Sequence, residues 1–157
     1  MISFVTGDAT APSGDGPKII CHVCNDIGGW GRGFVVAVSQ RWPQPEAAYR
    51  AWYQDRQHND FGLGRIQLIS VGEDLWVANM VGQHDIHGTE TTPPIRYEAV
   101  DSCLDLLATH AVERSASVHM PRIGCGLAGG TWDRIEPLVI QRLVRRGIAV
   151  TVYDLAG

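Results

Sequence analysis

Residues 118–131 read Val-His-Met-Pro-Arg-Ile-Gly-Cys-Gly-Leu-Ala-Gly-Gly-Thr, an apolar run that breaks into glycines just before a helical pattern begins at Trp132. This is a strand, a loop and a helix start. The glycines at 124, 126, 129 and 130 let the backbone take positive φ and approach a ligand closely, and the helix start aims unpaired N–H groups back at the loop. Such a loop suits an anion. A second cluster, Gly28-Gly29-Trp30-Gly31-Arg32-Gly33, also follows an apolar run and precedes a helical pattern. Two loops of one design could clamp a diphosphate from both sides. Gly124 to Gly129 has G-x-G-x-x-G spacing, but it lies late in the chain, and no G-x-x-x-x-G-K-[ST] occurs, so neither loop is an ordinary nucleotide motif.

Around these loops the chain alternates strand and helix patterns. Ile2 to Thr6 is a short β-branched and aromatic run ending at Gly7-Asp8-Ala9-Thr10. Lys18 to Cys24 is near-continuously apolar, as a strand covered on both faces should be, and it delivers Asn25 and Asp26 to the first glycine loop. Helical stripes follow from Phe34 to Trp42 and from Pro45 to Arg56, where Trp52 and Tyr53 read as core rather than as a base-stacking platform. Arg65 to Val71 and Leu75 to Val81, joined by Gly72-Glu73-Asp74, form a hairpin and so introduce an antiparallel pair into the sheet. Gly82 to Pro94 is a polar loop, and a helix carrying Val100, Leu104 and Leu107 comes next. Ser117–Met120 is a strand, Trp132–Arg146 an amphipathic helix stopped by Gly147, and Ile148–Tyr153 the last strand.

At 157 residues, with 45% hydrophobic and 19% charged, the chain is expected to form one domain over 1–157 with a single core. A net charge of −4 argues against a broad nucleic-acid or anionic-membrane surface. Arg142, Arg145 and Arg146 read as a solvated helix end. With no signal-peptide pattern and no membrane-length apolar run, a cytoplasmic address in a bacterium is the expectation. The four cysteines, 21, 24, 103 and 125, read as reduced thiols, and Cys21 and Cys24 fall on opposite faces of their strand. His84-x-x-His87 lacks a third ligand, so no metal and no cofactor is expected.

Taken together, Gly7-Asp8-Ala9-Thr10, His22-Val-Cys-Asn25-Asp-Ile-Gly-Gly-Trp-Gly31-Arg-Gly33-Phe, Met120-Pro-Arg-Ile-Gly-Cys-Gly-Leu-Ala-Gly-Gly130-Thr-Trp and Val152-Tyr153-Asp154 resemble a macro domain across essentially the whole chain. The resemblance is to the branch that holds the terminal ADP-ribose protein glycohydrolases and the macro module of a chromatin-remodelling helicase, and in particular to an actinobacterial member. It implies a three-layer α/β/α fold with a mixed central sheet and a cleft for ADP-ribose. By the same resemblance, Asp8 would accept the adenine amine with the Ala9 amide beside it, unless Asp8 merely organises its turn. Asn25 would bond the distal ribose, or else serve as a turn residue. Trp30, Gly31, Arg32 and Gly33 would form one wall, and Gly124, Cys125, Gly126, Leu127 and Ala128 the other. Tyr153 would pack near the adenosine or at the core edge.

The glycohydrolases of that branch are associated with a lysine and an aspartate at positions where this chain has Gly82-Gln83 and Ala128. Two functions then compete. One is a hydrolase in which a water held by Asn25, Gln83 or the ligand's own phosphate attacks the distal ribose, releasing a carboxylate from acidic-residue esters on proteins or from O-acyl-ADP-ribose; Asp26 is a candidate base or a loop cap. The other is a non-catalytic ADP-ribose-binding module. A free-standing domain favours the hydrolase. The expected partners are ADP-ribose or ADP-ribosylated proteins, with nucleic acid only as an ADP-ribosylated acceptor, and the chain is expected to be a monomer.

Overall fold

The computed structural model describes residues 1–156. In chain order the elements are β1 Ile2–Thr6, β2 Lys18–Asn25, α1 Phe34–Arg41, α2 Gln44–Gln54, β3 Ile66–Gly72, β4 Leu75–Gln83, α3 Tyr97–Arg114, β5 Ser117–Met120, α4 Trp132–Arg142 and β6 Val150–Asp154. Six strands form one sheet in the order β1-β6-β5-β2-β4-β3. Every pairing is parallel except β3 with β4, so the sheet is mixed, as the hairpin predicts.

Strand β2 is the centre of the fold, flanked by β5 on one side and β4 on the other. Its side chains alternate between two cores. Ile19 and Cys21 join the cluster under α3 and α4, whereas Ile20 and Cys24 join the cluster under α1 and α2. This is the period-two separation that keeps Cys21 and Cys24 apart. Helix α3 buries Val100, Cys103, Leu104, Leu107, Ala108 and Ala111 along one stripe. Each large apolar side chain so buried contributes roughly 1.5–3 kcal/mol, which makes this stripe the main anchor of its layer. On the other layer Trp52 is buried, and Trp52 and Tyr53 both pack edge-on against Phe61 at 4.9 and 5.3 Å, as expected for core aromatics.

Several boundaries differ from the sequence reading, three of them with a clear physical reason. Strand β4 runs on through Gly82 to Gln83, because Gln83 still pairs with Asn25 and bridges to Ile95. In the hairpin, Gly72 belongs to β3 and pairs with Leu75, and Asp74 takes the left-handed conformation (φ 53°). Helix α4 stops at Arg142 rather than Arg146, since Val144–Arg146 tightens into a 3-10 turn closed by Gly147 at φ 79°. Arg142 and Arg146 are not simply solvated: Arg142 makes a two-pronged ion pair with Asp101 at 2.8 and 2.9 Å, and Arg146 reaches Asp105, so both tie α4 to α3.

Candidate functional site

A cleft opens at the carboxyl ends of β2, β4 and β5, where open α/β sheets place ligands. It has two chambers of about 220 and 560 Å³ that share Val23, Arg32, Val35, Gln83 and Leu127. The smaller is walled by Gly124, Gly126, Leu127 and Ala128 on one side and Gly33, Phe34 and Val35 on the other. The larger adds Asn25, Trp30, Gly31, Ile86 and His87.

The loop after β5 holds its shape with its own backbone. Gly130 N–H donates to the Gly124 carbonyl at 2.7 Å, Gly129 N–H to Gly126 at 3.0 Å, and the Ala128 carbonyl accepts from Ile95. These bonds leave the consecutive amides of Gly126, Leu127 and Ala128 without a protein acceptor among the described residues. Gly124, at φ 71°, provides the left-handed corner of this loop, and Gly126, Leu127 and Ala128 line the smaller chamber. Across the cleft, the helix that presents its N-terminus is α1. Gly33, at φ 79°, caps it, and its first residues line the smaller chamber, whereas the start of α4 lies outside both chambers. The expectation of an anion-facing helix start therefore moves from α4 to α1. Arg32 lines both chambers and has no ion-pair partner among the described residues. Facing amides, a helix start and a free guanidinium form a site for a polyanion.

Asn25 is more committed than its sequence role suggests. Its Oδ1 accepts from Ile27 N–H, Gly29 N–H and Tyr49 O–H at 3.1, 2.9 and 2.9 Å, and its Nδ2 donates to the Gly29 carbonyl at 2.9 Å. The side chain builds the first glycine loop and keeps one N–H free for a ligand. Gln83 donates to the Asp85 carbonyl at 2.8 Å and lines both chambers. Trp30 is a buried wall, pinned by Nε1–H to Ser39 Oγ at 2.8 Å.

Several expected residues are not brought into the walls. Asp26 braces two loops: Oδ1 accepts Asp85 N–H at 2.7 Å and Oδ2 meets His84 Nδ1 at 2.8 Å. It lines neither chamber, so the loop-cap alternative describes it. Cys125 turns its thiol to the Ile123 carbonyl at 3.4 Å and packs on the α3/α4 core, with burial raising its pKa. Asp8 accepts from Thr10 N–H and Oγ1–H at 2.8 and 2.7 Å and lies 3.5 Å from Arg41. The Thr10 hydroxyl, more than Arg41, holds its carboxyl below the usual range. The turn uses the Thr10 and Ala11 amides, and Ala9 itself is buried. Tyr153 is a core-edge tyrosine: its hydroxyl accepts from Ser13 N–H at 3.0 Å and meets His119 Nδ1 at 2.7 Å.

Residues without a sequence-derived role also enter the walls. His22 lines the smaller chamber, 2% exposed. Its Nε2 lies 2.6 Å from Asn79 Oδ1, which can only accept, so Nε2 carries the proton and Nδ1 is the acceptor. Burial lowers its pKa to about 4 and keeps it neutral. Arg122 lines the same chamber but is paired two-pronged with Asp154 at 2.7 and 2.9 Å and stacked near the Phe4 and Trp132 rings. The legible signal for His22 was a polar residue inside an otherwise apolar strand. Arg122, Ile86 and His87 lay in loops whose folding back was not legible. Among the described residues no group of three or more His, Cys, Asp or Glu side chains could hold a metal ion, and no helix is long and apolar enough to cross a membrane.

No protein-family model matches the chain. The mouse chromodomain-helicase-DNA-binding protein 1-like is 32% identical over 162 residues that take in 97% of this chain; this chain spans only 17% of that protein's length. The human ADP-ribose glycohydrolase OARD1 is 30% identical over 60 residues, 38% of this chain and 40% of that one. The solved structure of a macrodomain protein from Streptomyces coelicolor is 62% identical, covers all of both chains and superposes with a TM-score of 0.88. A likeness of that depth along both full lengths, together with a three-layer fold whose cleft is closed by two glycine loops, means that the chain belongs to the macrodomain family.

Proposed function

We propose that this chain is an ADP-ribosyl hydrolase that removes ADP-ribose from carboxylate esters on proteins, or from O-acyl-ADP-ribose, by attack of water at the distal ribose. The observation that carries the ligand is the row of unpaired amides at Gly126, Leu127 and Ala128 facing the start of α1 and the unpaired Arg32, a cradle suited to a diphosphate. The adjoining 560 Å³ chamber then receives the distal ribose and its acyl group, with the free Asn25 N–H toward a ribose hydroxyl and the Gln83 amide toward the water. The name of the human relative, an ADP-ribose glycohydrolase, supports the same ligand. A carboxylate leaves readily without a proton donor, so the absence of an acid side chain at Ala128 is compatible with ester cleavage. Positioning and preorganised amides supply transition-state stabilisation.

The test is single-turnover release of ADP-ribose from a protein automodified on glutamate and aspartate, at saturating enzyme, with ADP-ribose affinity measured by calorimetry. Wild type is expected to release ADP-ribose, and Gln83→Ala to slow release at least tenfold while binding within about threefold of wild type. Asn25→Ala is less diagnostic, because the same side chain builds the loop. Tight binding with no release by wild type would leave an ADP-ribose reader instead.

A further inference from the structure

We propose that His87 is the general base of this hydrolysis, taking the proton from the attacking water; the assignment rests on the hydrolase reading above. The larger chamber is walled by Asn25, Arg32, Gln83 and His87 as its polar side chains other than Cys24. Neither amide can take a proton at neutral pH, a guanidinium remains protonated, and burial pushes the Cys24 thiol far up, away from thiolate. Asp26, the base candidate from the sequence, has both oxygens occupied and does not line the chamber. Imidazole is the side chain whose ordinary proton exchange spans neutral pH. Among the described residues the His87 ring makes no hydrogen bond to protein, so its nitrogens are available to a ligand or water.

The loop that carries His87 is fixed where it leaves the sheet. Gln83 donates to the Asp85 carbonyl, Asp26 accepts the Asp85 amide, and His84 N–H bonds to the Pro94 carbonyl at 2.8 Å. Asp85 then takes a left-handed turn at φ 61°, which returns Ile86 and His87 over the cleft. The Asp85 carboxyl is held below its ordinary range first by the Ile86 amide, then by the His87 amide and ring, which places a carboxylate beside the imidazole. Of the charged and titratable groups near this loop, Asp85 interacts with the His87 ring, Arg32 and Cys24 line the same chamber, and Asp26 holds His84 from the loop opposite.

In the step on a protein carboxylate ester at the anomeric position, the water oxygen forms a bond to C1″ of the distal ribose as the C1″–O bond to the acyl group breaks. The acyl oxygen leaves with the electron pair as a carboxylate, and the water proton passes to a ring nitrogen of His87 and then to solvent. No oxidant or second substrate is needed.

The experiment compares wild type, His87→Gln and His87→Ala in single-turnover release at saturating enzyme between pH 5.5 and 8.5, with calorimetry on ADP-ribose. The expected result is a fall of 10²-fold or more in both variants, loss of the acid-side limb of the pH profile, binding within threefold, and partial recovery of His87→Ala by added imidazole. A His87→Gln enzyme with wild-type rate and an intact acid limb overturns the assignment and leaves the hydrolase reading standing. Wild type that binds ADP-ribose but releases none from the modified protein sinks both.

Discussion

Acidification is expected to destabilise this fold well above the pH at which its carboxylates protonate. His22 and His119 are each 2% exposed and each has its pKa lowered from 6.5 to about 4, burial being the first cause in both. Each is also bonded as a neutral ring, His22 to Asn79 and His119 between Tyr153 and Ser117. Between pH 6.5 and 4 the unfolded chain binds these two protons and the folded chain does not, so stability rises with pH in that window and is lost as pH falls through it. At about 1.4 kcal/mol per pKa unit, the full window removes roughly 3 kcal/mol per histidine, against a typical domain stability of about 5–15 kcal/mol. Asp8, Asp101 and Asp154, whose carboxyls are held low chiefly by hydrogen bonds from Thr10, Arg142 and Arg122, add their loss only as pH falls below their unfolded value of 3.8. The two effects therefore separate on the pH axis. Urea unfolding measured every half unit from pH 7.5 to 4 gives the slope, and His22→Gln and His119→Gln should each remove about half of it. A flat stability between pH 6.5 and 4.5, or a slope unchanged in both variants, would refute the argument.

Two further outcomes follow from particular contacts. Asn79, 0% exposed, accepts from His22 and donates to the Pro45 carbonyl and Gln67 Oε1 at 3.1 Å each. Asn79→Ala orphans a buried imidazole N–H and a buried carbonyl, a cost of about 2–4 kcal/mol, and thermal melts should fall by roughly 4–16 °C; a shift under 2 °C would contradict this. At Gly130 an added Cβ would sit 2.5 Å from the Gly124 carbonyl oxygen, backbone that cannot rotate away. Gly130→Ala should therefore weaken ADP-ribose binding at least tenfold by calorimetry, and unchanged affinity would show that the amide row is not the diphosphate site.

The two glycine loops, the hairpin and the alternation of strands were legible because each is a local pattern: positive-φ residues, a turn between two β-branched runs, and strands apolar on both faces. What was not legible depends on where distant segments meet. Arg142 and Arg146 read as solvent-facing until α3 brings Asp101 and Asp105 beside them. Asn25 and Asp26 lie where the sequence puts them, at the end of β2, but their partners Tyr49, His84 and Asp85 come from elements 20 or more residues away. His22 sat inside a recognised motif without a role, because its significance lies in Asn79 on the neighbouring strand. The assignment of the anion-facing helix failed for a similar reason: α1 and α4 both follow glycine loops, and only the tertiary arrangement decides which one looks into the cleft.

Asp26 gives the cleft a shared hinge pin. One carboxylate fastens both the segment leading to Arg32 and the segment leading to His87, so neither can swing outward without releasing the other. A molecule that touches only the phosphate-facing half is thus expected to slow amide hydrogen exchange in residues 84–88 as well, and cutting the pin with Asp26→Asn should uncouple the two halves while leaving each able to close on its own.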